Sequence, residues 1–335
     1  MTAPAQPRLE DKIAFLAAAS SYPGYRGEVA VVETHLSLIF MTRERAYKLK
    51  KPVRRALIDF TGIDARYRNC LEELRLNRRL GGDTYIGIEP LCLLPGGRLH
   101  LGRGGVPVDW LVVMRRLPEQ AMLDNQIRAG RLDGEALAQA AALLARFYQA
   151  EEPVAMTGEQ YRQRLVDNVT QLFAELESFP LPADALRSLR QGQLTLLETH
   201  GELFAARARQ GMILEAHGDL RPEHLCLSHP PVIIDCLEFS RDLRLQDRAD
   251  ELVFLAMECD KLGAPEVGET VFRVYGEITG DWPQAPLLDL YRRYRACIRA
   301  RLCAGHLGDV PEVQAEHWLR RAREYLGLAV EYTRG

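Results

Sequence analysis

Two carboxylates mark the most informative stretch of this 335-residue chain. Asp219 lies in the tetrapeptide His217-Gly218-Asp219-Leu220, and Asp235 closes the apolar run Val232-Ile233-Ile234. Between them, His224–Leu227 and Val232–Ile234 read as two short strands joined by the turn Ser228-His229-Pro230-Pro231. A hairpin there is expected to bring Asp219 and Asp235 to the same end. Phosphoryl transfer uses such a pair: one carboxylate orients a hydroxyl and takes its proton, the other holds a metal ion on the phosphates. Taken singly, each aspartate also fits a turn or a cap. Their order and spacing carry the reading.

That order resembles the aminoglycoside phosphotransferase branch of the protein-kinase-like superfamily, whose pattern is H-G-D-x-x-x-x-N followed by I-D. The resemblance implies that Asp219 is the catalytic base and that Asp235 is a metal ligand. It also exposes a departure, because His224 stands where the family has its metal-binding Asn. Mg²⁺ prefers oxygen ligands, whereas an imidazole nitrogen suits Mn²⁺ and later metals. Three outcomes stay open: His224 ligates a Mn²⁺-tolerant site, Glu223 takes the second metal instead, or the metal site is degenerate.

The elements that must position these groups read as follows. Val29–Val32, Leu36–Phe40 and Ala46–Leu49 are expected to be three consecutive strands. In the third, Ala46, Lys48 and Lys50 share a face. The resemblance puts Ala46 under an adenine and Lys48 at the phosphates, with Lys50 as the same-face alternative. The solvent-facing edge strand is the plainer reading. Arg66–Leu80 has helical spacing, with Glu73 on the side of Leu76 and Leu80. The resemblance pairs Glu73 with the strand lysine, and Glu72 is the alternative. Strands around Leu91–Leu94, Leu99–Leu101 and Trp110–Met114 follow. The segment Met114-Arg115-Arg116-Leu117-Pro118 falls where the resemblance places the hinge that reads adenine, which makes Met114 and Arg116 nucleotide-contact candidates.

After the hinge the pattern turns helical: Ala136–Glu151, Tyr161–Phe179, Asp184–Arg209, a helix opened by Asp247 and Asp250, and a last large helix with Tyr291 to Leu302. Asp247 and Asp250 are expected to be structural, as carboxylates at a helix start. Arg292, Arg295 and Arg299 form a stripe that fits ion pairs. If it faced the substrate, it would favour a neutral or anionic acceptor over a polycationic aminoglycoside.

The expected fold is thus α+β and two-lobed: a small antiparallel-sheet lobe over 1–117 and a mostly helical lobe over 118–335 holding the catalytic loop. The expected activity is ATP-dependent transfer of a phosphoryl group to a hydroxyl of a small molecule, with ATP in the interlobe cleft and Mg²⁺ or Mn²⁺ on its phosphates. The alternative is a nucleotide-binding pseudokinase with a regulatory or protein-binding role, favoured by His224 and by the absence of G-x-G-x-x-G. A protein kinase is disfavoured by the lack of A-P-E and of a long activation segment.

Composition fits this picture. The net charge is −3, with 47% hydrophobic and 27% charged residues, so bulk nucleic-acid binding is not indicated. The seven cysteines are scattered without C-x-x-C spacing, as in a reduced cytoplasmic protein. There is no signal-like N-terminus and no apolar run of membrane-spanning length. The nearest resemblance is to a bacterial subgroup in which some members carry an appended P-loop kinase domain. With no G-x-x-x-x-G-K-[ST] here, the stand-alone form is expected.

Overall fold

A computed structural model of the chain describes residues 6–55, 57–308 and 311–333. The chain divides into two compact units, Met1–Gln126 with Glu223–Asp242, and Ile127–Pro222 with Leu243–Gly335. The α+β class and the split between a sheet unit and a mostly helical one are as expected.

The first unit opens with helix α1 (Leu9–Ala17), strands β1 (Ala30–Glu33), β2 (Ser37–Met41) and β3 (Arg45–Lys50), and a small ribbon of β4 (Arg54–Arg55) and β5 (Ile58–Asp59). Helix α2 (Ile63–Gly81), β6 (Tyr85–Leu93), β7 (Leu99–Leu101), β8 (Val106–Arg115) and α3 (Leu123–Arg128) follow. The main sheet has six strands in the order β1-β2-β3-β8-β6-β7, with every pairing antiparallel. The β6–β7 turn contains Gly96 and Gly97, both at positive φ, where a side chain would be strained.

Strand alternation sorts β3 into two faces. Tyr47 and Leu49 join Phe40, Leu111, Val113 and the α1 residue Leu16 in one apolar layer. Ala46 joins Val112, Met114, Tyr85 and Cys70 of α2 in the other. Each fully buried large side chain in these layers contributes about 1.5–3 kcal/mol. The helices are also tied to the sheet by charge. Asp109 of β8, 1% exposed, accepts hydrogen bonds from Lys12 of α1 at 2.7 Å and from Arg66 of α2 at 2.7 Å. Residues 223–242 add the hairpin Leu225–Cys226/Val232–Ile233, close to its expected limits.

The second unit holds α4 (Gly134–Ala150), α5 (Gly158–Leu176), α6 (Ala183–Thr199) and α7 (Gly201–Arg209). The stretch Asp184–Arg209, read as one helix, breaks at His200-Gly201, where α6 ends and α7 starts. A one-turn helix α8 (Arg241–Arg244) spans the return from the sheet unit. Then come α9 (Arg248–Lys261), α10 (Pro265–Thr279), α11 (Ala285–Gly305) and α12 (Glu312–Glu331). A short antiparallel pair, Ile213–Glu215 with Leu245–Asp247, sets the base of the loop that carries Asp219. The apolar core gathers Phe173, Leu197, Phe204, Val253, Tyr291 and Ala300, among others.

Buried ion pairs run through this core. Arg207 bonds Asp247 and Asp281 at 2.7 Å each, and Asp247 also caps α9 through the Ala249 N–H. Asp250 bonds Arg295 at 2.6 Å, and Glu258 bonds Arg299 at 2.8 Å. Arg292 lies over the Tyr332 ring. The arginine stripe of α11 is thus engaged inside its own unit, as the ion-pair reading expects, and Arg299 also feels the charge of Asp219. All seven cysteines are buried and none is in a disulfide. Among the described residues no helix is long and apolar enough to cross a membrane.

Candidate active site

The site in the sheet unit is built on a buried carboxylate. Glu73 of α2 is 0% exposed and receives two lysines from adjacent inward positions of β3. Its Oε1 lies 2.8 Å from Lys48 Nζ, and its other oxygen pairs with Lys50. Lys48 also donates to Asp235 Oδ1 at 2.7 Å, and Lys50 donates to Glu238. Five charges of alternating sign thus run Asp235, Lys48, Glu73, Lys50, Glu238. Glu72 faces outward and bonds Arg75.

Helix α2 holds the Asp235 segment with one face, Glu73, Asn77 and Gly81 at four-residue spacing. Asn77 Oδ1 accepts the Cys236 N–H at 2.8 Å. At Gly81 the Ile233 carbonyl lies 3.2 Å from where a Cβ would stand, so the strand runs close against the helix. From β6, the Tyr85 hydroxyl accepts the Asp235 N–H at 3.1 Å. Asp235 has φ +62°, a left-handed conformation costing a non-glycine residue about 1–3 kcal/mol, and these bonds hold it there.

Charge sets the protonation states. Burial alone would raise the Asp235 carboxyl, but Lys48 and His224 beside it hold it far below the usual carboxylate range. Glu73 behaves alike: burial opposes its charge, and Lys48 and Lys50 outweigh burial, so its pKa is lowered. Burial disfavours the ammonium of Lys48, yet Asp235 and Glu73 drive its pKa well upward.

His224 ends a single 3₁₀ turn just before the hairpin and is buried. Its Nε2 lies 3.6 Å from Asp235 Oδ2, and its carbonyl accepts the Ile234 N–H at 2.9 Å. Glu223 is exposed. Among the described residues no group of three or more His, Cys, Asp or Glu side chains gathers to hold a metal. The Asp235 side chain is 46% exposed. This donor set does not fit a resident ion caged by protein. Asp235, with the His224 imidazole beside it, would instead hold a divalent cation that fills the rest of its shell with water and phosphate oxygens.

The expected hinge residues lie at the end of β8. Met114 is 9% exposed and pairs in register with Ala46 and Tyr85. The Arg116 N–H donates to the Glu44 carbonyl at 2.8 Å. Its guanidinium bonds the Thr42 carbonyl and Glu119. In this arrangement the Arg116 backbone donor is already used.

Asp219 belongs to the helical unit. Gly218, at φ +88°, turns the chain, and Leu220 is fully buried behind it. The backbone of this turn is fixed by Glu251 of α9, whose carboxylate accepts the Gly218 N–H at 2.7 Å and the His217 N–H at 3.1 Å. Tyr148 and Gln246 donate to the same carboxylate. Asp219 Oδ2 accepts from Arg221 Nε at 3.1 Å.

Sequence reasoning did not single out Glu251, Arg221, Asn77, Tyr85 or Glu238. Asp247 and Asp250 drew attention on α9, while its next residue braces the loop. Arg221, two residues after Asp219, was the one readable from proximity. The others act across distances of up to 188 residues, as in the Lys50–Glu238 bond, and spacing gives no sign of them.

The lowered carboxylates carry a pH signature. A group whose folded pKa is depressed stabilises the fold fully above its unfolded value and loses that contribution as pH falls through the folded one. Glu73 and Asp235 together should make the melting temperature drop once pH falls below about 4.5. A Glu73→Gln variant should be less stable at neutral pH and drop less on acidification. An acid slope equal to that of the wild type would contradict the network.

No protein-family model matches the chain. An uncharacterised protein of Mycobacterium tuberculosis is 32% identical over 295 residues, covering 86% of this chain and 57% of that protein. An uncharacterised protein of Mycobacterium bovis matches to the same extent, so the chain spans 57% of the length of these curated relatives. Among solved structures, a choline/ethanolamine kinase family protein from Mesorhizobium loti superposes with a TM-score of 0.53 at 16% identity, over 97% of this chain and 98% of that one. The GDP complex of aminoglycoside 2'-phosphotransferase-IIIa gives 0.51 at 15% identity, over 94% and 96%. A glucosamine kinase in complex with glucosamine, ADP and inorganic phosphate gives 0.51 at 15% identity, over 98% and 87%. At such identities the likeness speaks to architecture, and the chain has the protein-kinase-like fold in the form found in aminoglycoside phosphotransferases and choline/ethanolamine kinases.

Proposed function

We propose that the chain is a phosphotransferase that moves the γ-phosphoryl group of ATP to a hydroxyl of a small molecule, its lobes being 1–117 and 118–335. The observation that carries this reading is the Lys48–Glu73 and Lys48–Asp235 constellation in a fold shared with small-molecule kinases. Lys48 supplies a fixed positive charge for phosphate oxygens, and Glu73 keeps it ionised and in place. Asp235, with His224 beside it, holds the divalent ion. When bound, that ion neutralises charge on the phosphates, which is the larger part of such catalysis.

Asp219 accepts a hydrogen bond from the acceptor hydroxyl, orients it, and takes its proton late. Arg221 holds the Asp219 carboxylate by one oxygen, and Glu251 fixes the backbone beneath it. The acceptor is a hydroxylated small molecule, as is the glucosamine held in the glucosamine kinase structure. Its charge is unassigned.

A second reading, nucleotide binding without transfer, draws on His224 at a metal-ligand position. Incubation with γ-labelled ATP and a panel of amino sugars, amino alcohols and polyols separates the two. Transfer to a small molecule supports the first reading. Nucleotide binding with no transfer to any acceptor supports the second.

Asp219→Asn is expected to lower kcat by about 10²–10⁴-fold while leaving nucleotide affinity near that of the wild type. Near-normal turnover would refute the base assignment. His224→Asn is expected to raise the ratio of Mg²⁺- to Mn²⁺-supported activity by about tenfold or more. An unchanged ratio would remove His224 from the metal site.

A further inference from the structure

Lys50 and Glu238 take no part in the chemistry above, yet they form a well-enclosed ion pair in the sheet unit. The Lys50 side chain is 0% exposed and that of Glu238 is 8% exposed. Lys50 Nζ is shared by Glu73 and Glu238 and lies 6.0 Å from the centre of the Phe60 ring. It could not meet a phosphate without leaving both carboxylates. A buried ion pair is seldom more stable than apolar residues of the same volume. What it fixes well is geometry.

The geometry at stake is that of Asp235. Its left-handed backbone is bonded on the α2 and β6 side through Asn77 and Tyr85. On the β3 side, Lys48 takes the Asp235 carboxylate, and Lys50, the next inward residue, takes Glu238. Successive inward positions of a strand are about 7 Å apart. Two attachments at that separation fix the direction of a segment, whereas one leaves it free to pivot. Glu73 binds both ammonium groups and so fixes the spacing of the grip.

We propose that Lys50 and Glu238 are positioning residues: together they clamp residues 235–238 along β3, so that Asp235 keeps its left-handed backbone and its carboxylate stays beside Lys48. The clamp itself rests on geometry. Its consequence for metal and nucleotide rests on the function proposed above.

The test uses the full chain with Glu238→Gln, which leaves Lys50 to Glu73. Amide hydrogen exchange is read without ligand, at Cys236 and at Leu49 and Val112 in the sheet. Protection at Cys236 is expected to fall tenfold or more, while that of the sheet amides is retained. Titration with Mg²⁺-ATP should then show a dissociation constant raised by about 10–100-fold, with metal-free ATP little changed. Unchanged protection at Cys236 overturns the clamp. If wild type binds no nucleotide while Cys236 protection falls in the variant, the clamp stands and the kinase reading fails. If protection falls but Mg²⁺-ATP affinity does not, the inferred link from clamp to metal is overturned. Should Glu238→Gln not fold, the double variant Lys50→Met/Glu238→Leu removes both charges and is read in the same way.

Discussion

The sheet unit depends on one buried carboxylate. Glu73 has no access to water, and an ionised group in that position must be compensated locally. Two lysines from a single strand supply the compensation. That requirement fixes the register of α2 against β3 and the inward face of β3. Through the lysines it also fixes the two acidic side chains of the 235–238 segment. Removing Glu73 would leave two buried ammonium groups with two remaining carboxylates and no bridge between them. The apolar layers around β3 set the fold, and this ladder of alternating charge sets where Asp235 points.

The helical unit solves a similar problem with the same chemistry. Its loop carries a glycine at positive φ and an aspartate that is partly open to solvent. Such a loop cannot be held by packing alone. Glu251 instead captures two successive backbone N–H groups, and Tyr148 and Gln246 hold Glu251 in turn. Asp247, Asp250 and Glu258 sit along the same helix and are each matched by an arginine. In both units a buried acid on a helix orders a less regular segment that carries an exposed one.

Much of this was legible in the sequence, for physical reasons. The alternation in Ala46-Tyr47-Lys48-Leu49-Lys50 is a period-two pattern, and it placed both lysines on one face. The helical phase with Leu76 and Leu80 favoured Glu73 but left Glu72 open, and the buried lysine pairs decide for Glu73. The turn residues at 228–231 marked the hairpin. Long-range pairing was not legible. The stripe reads as ion pairs, but nothing in the sequence near Arg295 or Arg299 says that Asp250 and Glu258 are the partners. The break at His200-Gly201 was missed because the helical periodicity runs through it. The Lys50–Glu238 pairing is not legible because its partners lie 188 residues apart and no motif in the sequence contains Glu238.

The central claim is that Asp235, beside Lys48, holds a metal ion on a nucleotide. Calorimetric titration of ATP with and without Mg²⁺, on wild type and Asp235→Asn, tests it most directly. The account predicts tight binding to the wild type only when Mg²⁺ is present, and loss of that metal dependence in the variant. Binding of equal strength with and without metal, or unaltered metal dependence in Asp235→Asn, would contradict it.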